Sequence, residues 1–296
     1  MNIIKNDYSN LKTYVINLHN YIDNYIKQKP YLETLGLNPQ RFVGINATLD
    51  EHLYPNYKNH ISNLTLGFTP KSVIGCSLSH ILCCKYIHNK ILPSCKDDTY
   101  FLIMEDDAYP KYDKILFYEL LNKNLNDIIL LDPNWEIIQL HSDGFINTSK
   151  TYITHYFCGS TAAYLISKKG LEKMSKQHIK GHLDFVTQNF ISFRKYRVKD
   201  NLFYTDEKDS LNRVISKKIN LYSLSIYLKS KIIEKFGLQI RGEKTFSNYL
   251  QFKLIKVPFF KKEYTANEFI DILLGLFVIK KLIKYVKYVK YVKYVK

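Results

Sequence analysis

The stretch Tyr100-Phe101-Leu102-Ile103-Met104-Glu105-Asp106-Asp107-Ala108 decides how the rest of the chain is read. An apolar run that ends in three consecutive carboxylates reads as a buried strand delivering acids to a site. It lies between Asp97-Asp98 and Pro110, which fits a strand covered on both faces, as in a parallel sheet. The acids then stand at its carboxyl end, where ligands bind in open α/β sheets. Continued strand geometry points Glu105 and Asp107 one way and Asp106 the other. Two carboxylates on one face repel unless a cation lies between them. A hard divalent ion, Mg²⁺ or Mn²⁺, with positions left for substrate phosphates, is the natural candidate. A solvated strand exit with turn-forming acids is the competing reading.

Working outward, the run Thr13-Tyr14-Val15-Ile16-Asn17-Leu18 is β-rich, and residues 22–35 have a helix-like pattern closed by Gly36. Together they predict an opening βα unit. Residues 41–46 predict a second strand one helix later, as a parallel crossover requires. Residues 47–72, punctuated by Pro55, Gly67 and Pro70, predict a long loop with short helical pieces. The segment Gly75-Cys76-Ser77-Leu78-Ser79-His80 follows, with a helix expected to about residue 90. Ser77 or Ser79 would cap it, and free amides near its start could receive a phosphate. An ordinary capped helix with a buried His80 is the plainer reading.

Beyond the acids, residues 112–125 predict a helix, and residues 127–131 and 135–140 predict strands separated by Pro133. Residues 152–157 and 161–167 flank Cys158-Gly159-Ser160, where Gly159 would let the backbone turn sharply or approach a ligand. Residues 168–176 predict a helix. Asp184 stands among apolar neighbours and reads equally as a helix N-cap or a catalytic carboxylate.

The chain has 296 residues, 46% of them hydrophobic, and a formal charge of +16, enough for a sizeable core in one large domain or two small ones. Seven lysines and no acid lie in residues 280–296, so without that stretch the charge falls from +16 to +9. A basic remainder suits anionic ligands such as nucleotide sugars. Nucleic acid is not the expected partner, since no helix-turn-helix, zinc-finger or RNA-recognition signature is evident. No G-x-x-x-x-G-K-[ST] loop occurs either. Cys76, Cys83, Cys84, Cys95 and Cys158 form an odd set without C-x-x-C spacing, which implies neither a zinc site nor a disulfide framework and suits reduced thiols in a cytosolic protein. No apolar h-region follows Met1, so no secretory signal is expected. The sequons at Asn46, Asn63 and Asn147 are then chance matches in an Asn-rich chain.

In this order, the segments 14–18, 75–80, 102–107 and 159–170, the region of Asp184, and Asp209-Ser210 resemble glycosyltransferase family 25, which includes lipopolysaccharide-type and collagen hydroxylysine galactosyltransferases. The pairing of G-C-x-L-S-H with an apolar strand ending in E-D-D is its most specific part. The resemblance implies a GT-A-like, Rossmann-like α/β fold over residues 1–212, with a mostly parallel sheet flanked by helices. It also implies a UDP-sugar donor, Mn²⁺ or Mg²⁺ on the acidic motif, and transfer of galactose or glucose to a glycan or protein hydroxyl with inversion. Asp107 is the expected metal ligand, with Glu105 or Asp106 completing the site or holding the ribose. Ser79, His80 and Gly159 would shape the donor site. Asp184 is the expected base, with Asp206 and Asp209 as rivals. The opening motif departs from the family, since Leu18 is followed by His19-Asn20 and then Asp23-Asn24.

Residues 213–268 carry no usable motif, and the apolar spacing of 215–236 predicts a helical extension packed on the core. Residues 269–296 predict a basic amphipathic low-complexity tail. Its apolar run is too short to span a membrane but suited to an anionic surface; a disordered repeat expansion is the plainer reading. A non-catalytic, basic membrane-associated binding protein on the same fold is the alternative to an enzyme.

Overall fold

The computed structural model describes residues 11–96, 99–142, 152–153, 160–179, 193–206, 253–257, 262–265, 267–276, 279–281 and 283. The three strands that the apolar runs define, β1 (Lys12–Leu18), β2 (Asn38–Gly44) and β3 (Tyr100–Glu105), lie side by side in the order β2-β1-β3, all parallel. Between β1 and β2 the chain forms α1 (Ile22–Thr34). Gly36 follows its C-cap Leu35, and its φ of 79° is a left-handed conformation that glycine adopts without strain.

The long connection after β2 holds a 3₁₀ segment (Glu51–Tyr57), the short helix α2 (Asn63–Phe68) and then α3 (Lys71–Tyr86). Ser62 caps α2 through the Thr65 amide at 3.1 Å. Helix α3 begins at Lys71, six residues before the expected cap at Ser77, because Pro70 precedes it as an extended residue and supplies the carbonyl that the Ile74 amide needs. Ser77 and Ser79 are therefore interior helix residues and cap nothing.

After β3 come β4 (Ala108–Pro110) and α4 (Lys114–Leu131), the latter capped by Asp113 through the Leu116 amide at 3.0 Å. Residues 127–131, expected as a strand, are the last turns of α4. Leu121, Leu125 and Ile128 form one buried helical stripe there, while Leu130 and Leu131 face solvent. The next elements are β5 (Ile137–Gln139), β6 (Tyr152–Ile153), β7 (Ala163–Ser167), α5 (Lys168–Ser175), β8 (Lys195–Val198) and β9 (Phe203–Thr205).

The main sheet has the order β2-β1-β3-β7-β5-β8-β6. Strands β2, β1, β3, β5 and β8 run one way; β7 runs antiparallel between β3 and β5, and β6 runs antiparallel at the edge. The expected parallel sheet is thus a mixed, mostly parallel one. It is an α/β, Rossmann-like fold with helices on both faces. Alternate residues go to opposite sides: Val15, Leu102 and Met104 pack with Leu32 of α1 and Phe117 of α4, whereas Tyr14, Phe101 and Ile103 pack with Leu78 of α3 and Leu171 of α5. Phe101, Leu102, Ile103 and Met104 have no exposed surface. At roughly 1.5–3 kcal/mol for each large apolar side chain, β3 is a firm mount for the acids at its end.

Within residues 213–268, expected to be helical, the described residues form an antiparallel hairpin of β10 (Lys253–Val257) and β11 (Lys262–Thr265), with β10 against α2. The expected helix over 215–236 lies outside the described residues.

Candidate active site

Strand β1 has β2 on one side and β3 on the other, so the connections leave it in opposite directions. A crevice opens at the carboxyl ends of the strands there, the place where open α/β sheets bind ligands. A cleft of about 300 Å³ occupies it, and Ser79, His80, Glu105, Asp106 and Asp107 all line it. Gly159, Asp184 and Asp209 lie outside the described residues.

Strand β3 stops at Glu105, and Asp106 and Asp107 form the turn into β4. The expected alternation of the three side chains therefore does not extend past Glu105, and all three residues line the same cleft. The turn is held from below by Gln28 of α1. Its side-chain amide, fully buried, donates to the Glu105 carbonyl at 2.8 Å and also to the Ala108 carbonyl. Strand β4 pairs antiparallel with β9, and the Asp206 amide donates to the Asp107 carbonyl at 2.9 Å. This two-stranded ribbon brings Asp206, almost a hundred residues distant, into the cleft as a fourth carboxylate.

Each acid has a different environment. Glu105 Oε1 accepts from the Thr161 hydroxyl at 2.8 Å and lies 3.3 Å from His80 Nε2. Burial works to raise its pKa, but the hydrogen bonds from His80 and Thr161 and the imidazole charge prevail and hold it below the ordinary carboxylate value. Asp106 is pushed up to about 6 by burial and by the Glu105 charge, against the hydrogen bonds from Asn17 and Asn24. Asn17, the buried asparagine of the first strand, donates to Asp106 Oδ2 and accepts from Arg41 Nε at 2.6 Å, so it ties the β1 end to the acidic turn. Tyr109 is raised by burial and then by the charges of Asp206, Asp107 and Asp106 among others, which marks its phenol as lying among the carboxylates. Lys27 supplies a cation on the same wall.

The segment 75–80 forms the opposite wall. A Cβ on Gly75 would stand 2.9 Å from the Ile45 carbonyl oxygen, so glycine lets α3 approach the exit of β2. Ser79 completes that junction: its hydroxyl donates to the Gly75 carbonyl at 2.7 Å and accepts from the Ile45 amide at 2.8 Å. It shapes the cleft by holding backbone together. His80 is almost wholly buried, with Nδ1 3.0 Å from the Tyr164 hydroxyl. The true start of α3 places Ser72, in its first turn, in the cleft.

The residues that the sequence reading missed are Gln28, Asn17, Lys27, Ser72, Tyr109 and Thr161. Asn17 alone carried a local signal, as the polar residue closing an otherwise apolar strand. On the side beyond β7, Gln139 and His141 extend the same edge; Gln139 donates to the Ser160 carbonyl at 2.7 Å, and both side chains are buried.

An oxygen-rich cleft with Lys27 on one wall can seat an anion together with a cation. Comparison with curated proteins gives no match. A family model described as glycosyltransferase family 25 (LPS biosynthesis protein) does match, over residues 10–187. That span runs from β1 through α5 and contains every cleft residue named above except Asp206. The acidic turn, its Asn17 tether and the α3 wall thus fall inside one matched segment covering more than half of the chain, and the chain belongs to glycosyltransferase family 25 and is a glycosyltransferase.

Proposed function

We propose that the protein is a metal-dependent, inverting glycosyltransferase of the GT-A type, moving galactose or glucose from a UDP-sugar to a hydroxyl on a glycan or protein. The observation that carries this reading is the convergence of Glu105, Asp106, Asp107 and Asp206 in one cleft at the divergence of the parallel strands. An all-oxygen donor set fits Mn²⁺ or Mg²⁺, and Asp106, raised by burial and then by the Glu105 charge, is a group whose ionised form a cation would favour. Asp107 and Glu105 would hold the ion, with Asp206 beside them. When bound, it supplies charge stabilisation to the departing diphosphate.

The chain's own residues have distinct parts in this reading. Lys27 and the first turn of α3 with Ser72 face the cleft and favour phosphate oxygens, the latter through the positive end of the helix. Asp106, fixed by Asn17, is placed to accept from a ribose hydroxyl. Asp184 takes the proton of the attacking acceptor hydroxyl, on the face of the sugar away from the nucleotide; this assignment rests on the resemblance of its sequence position, as does that of Gly159.

The setting we propose is cytoplasmic, at the surface of an anionic membrane. No helix among the described residues is long and apolar enough to cross one. The helical residues 267–276 nevertheless expose Ile272, Leu273, Leu274 and Leu276, just ahead of the seven lysines of 280–296.

The test is a panel of UDP-sugars with Mn²⁺. Turnover of one donor, abolished by a chelator and reduced roughly 10²–10³-fold in Asp107→Asn, is expected, with the new linkage of opposite anomeric configuration to the donor. Full activity of Asp107→Asn, or in chelator, overturns the metal assignment, and a retained configuration overturns inversion.

A further inference from the structure

We propose that Cys76, His80 and Glu105 form a second, chemically different metal site, for a borderline transition ion such as Zn²⁺, on the α3 wall of the cleft. One ligand atom from each lies within 4.8 Å of the others. Cys76 and His80 are four residues apart in α3, so a single helix face presents both. Glu105 meets them from the end of β3. Ligand atoms around tetrahedral zinc are roughly 3.3–3.8 Å apart, and His80 Nε2 is already 3.3 Å from Glu105 Oε1. The Cys76 thiolate lies within 4.8 Å of both other ligand atoms, and three protein ligands leave the fourth position open to the cleft.

The surroundings orient two of the ligands as metal sites require. A metal-bound imidazole needs a partner on its other nitrogen, and His80 Nδ1 has the Tyr164 hydroxyl at 3.0 Å. Thr161 donates to Glu105 and fixes its carboxylate. In the metal-bound form the Nδ1 proton is donated to Tyr164, and the thiol releases its proton to solvent. In the metal-free form Nε2 faces Glu105 Oε1 at 3.3 Å and Nδ1 faces the Tyr164 hydroxyl. The hydrogen bond between His80 and Glu105 therefore occupies the space an ion takes.

Thiolate and imidazole favour zinc over magnesium and manganese, which prefer oxygen. Cys76 is the thiol that lines the cleft among the described residues. Cys83 and Cys84 are fully buried, and Cys95 bonds the Ile91 carbonyl at 3.3 Å. Glu105 is common to this site and to the hard-ion site proposed above. If that earlier reading holds, the two ions compete, and zinc arrests sugar transfer.

Cobalt is the probe, because it reports thiolate ligation without any assay of activity. Titrating the full-length protein with Co²⁺ under reducing conditions is expected to give a thiolate-to-cobalt charge-transfer band in the near ultraviolet. The band saturates at one equivalent and is abolished by Zn²⁺. Cys76→Ser removes it, His80→Gln weakens cobalt binding roughly 10–100-fold, and Asp107→Asn keeps it even where donor turnover is lost. In the unmutated protein, Zn²⁺ protects Cys76 from alkylation, read by peptide mass spectrometry, which serves even if a variant fails to fold. Absence of the band, its persistence in Cys76→Ser, or alkylation of Cys76 at an unchanged rate with zinc overturns the site.

Discussion

Asp106 shows how the cleft trades stability for charge at the level of one residue. Its folded pKa of about 6 lies above the ordinary 3.8, so between those values the native state binds a proton that the unfolded chain has lost. Stability therefore falls as pH rises through that window, and the loss persists at neutral pH. Removing the charge should reverse it. Asp106→Asn is expected to stabilise the metal-free protein at pH 7 by about 1–3 kcal/mol, since one pKa unit corresponds to about 1.4 kcal/mol. It should also flatten the melting temperature between pH 4 and 6. A melting temperature at pH 7 equal to or below that of the unmutated protein refutes this. At the same scale, Glu105, Asp106, Asp107 and His80 were legible because unlike residues stood together in a short stretch. Gln28, whose amide grips both ends of the acidic turn, was not. A glutamine on a helix reads as surface until its partner strand is known.

Among the elements, β1 and β3 were legible because pattern and burial agree. The end of α4 was not, since Ile128, Ile129, Leu130 and Leu131 together have the composition of a strand. Burial distinguishes them: Ile128 is fully buried whereas Leu130 is 71% exposed, which is helical periodicity hidden in an unbroken apolar run. Strand β7 illustrates a different limit. Its sequence gives a strand but not a direction, and antiparallel pairing on both sides follows from where the chain returns. The junction of α3 with the exit of β2 is where packing meets the site. Gly75 admits no side chain, because the atoms in the way belong to the backbone at Ile45 and Ala47. Gly75→Ala is expected to lower stability by about 1–3 kcal/mol through overpacking, measured by denaturant unfolding, and to weaken donor binding by displacing His80 and Ser72 together. Unchanged stability would mean that the junction yields freely and does not define the wall.

For the molecule as a whole, the cleft is assembled from segments that share no local signal: the α1 wall, the α3 wall, the acidic turn, and Asp206 delivered by the β4–β9 ribbon. Only the topology joins them, so the order of the motifs was readable while their convergence was not. The C-terminal region poses the opposite problem, a strong local signal outside the cleft. Phe269, Ile272, Leu273, Leu274, Leu276, Ile279 and Ile283 are all more than a third exposed, and the lysines at 280, 281, 284, 287, 290, 293 and 296 carry seven positive charges without an acid. Exposed aliphatic side chains beside such charge match an anionic bilayer in both chemistries. At about 1 kcal/mol for each lysine near a charged surface, the electrostatic part alone suffices for reversible attachment. The full-length protein is therefore expected to float with vesicles containing phosphatidylserine and to stay behind with neutral phosphatidylcholine. Raising the salt should release it, since the Debye length shrinks from about 10 Å at 0.1 M to about 3 Å at 1 M. Deleting residues 280–296 should abolish flotation, and Ile272→Ser with Leu273→Ser should weaken it at constant charge, both without loss of turnover on a soluble acceptor. Flotation that is equal on neutral vesicles, or intact after the deletion, excludes the tail as the attachment.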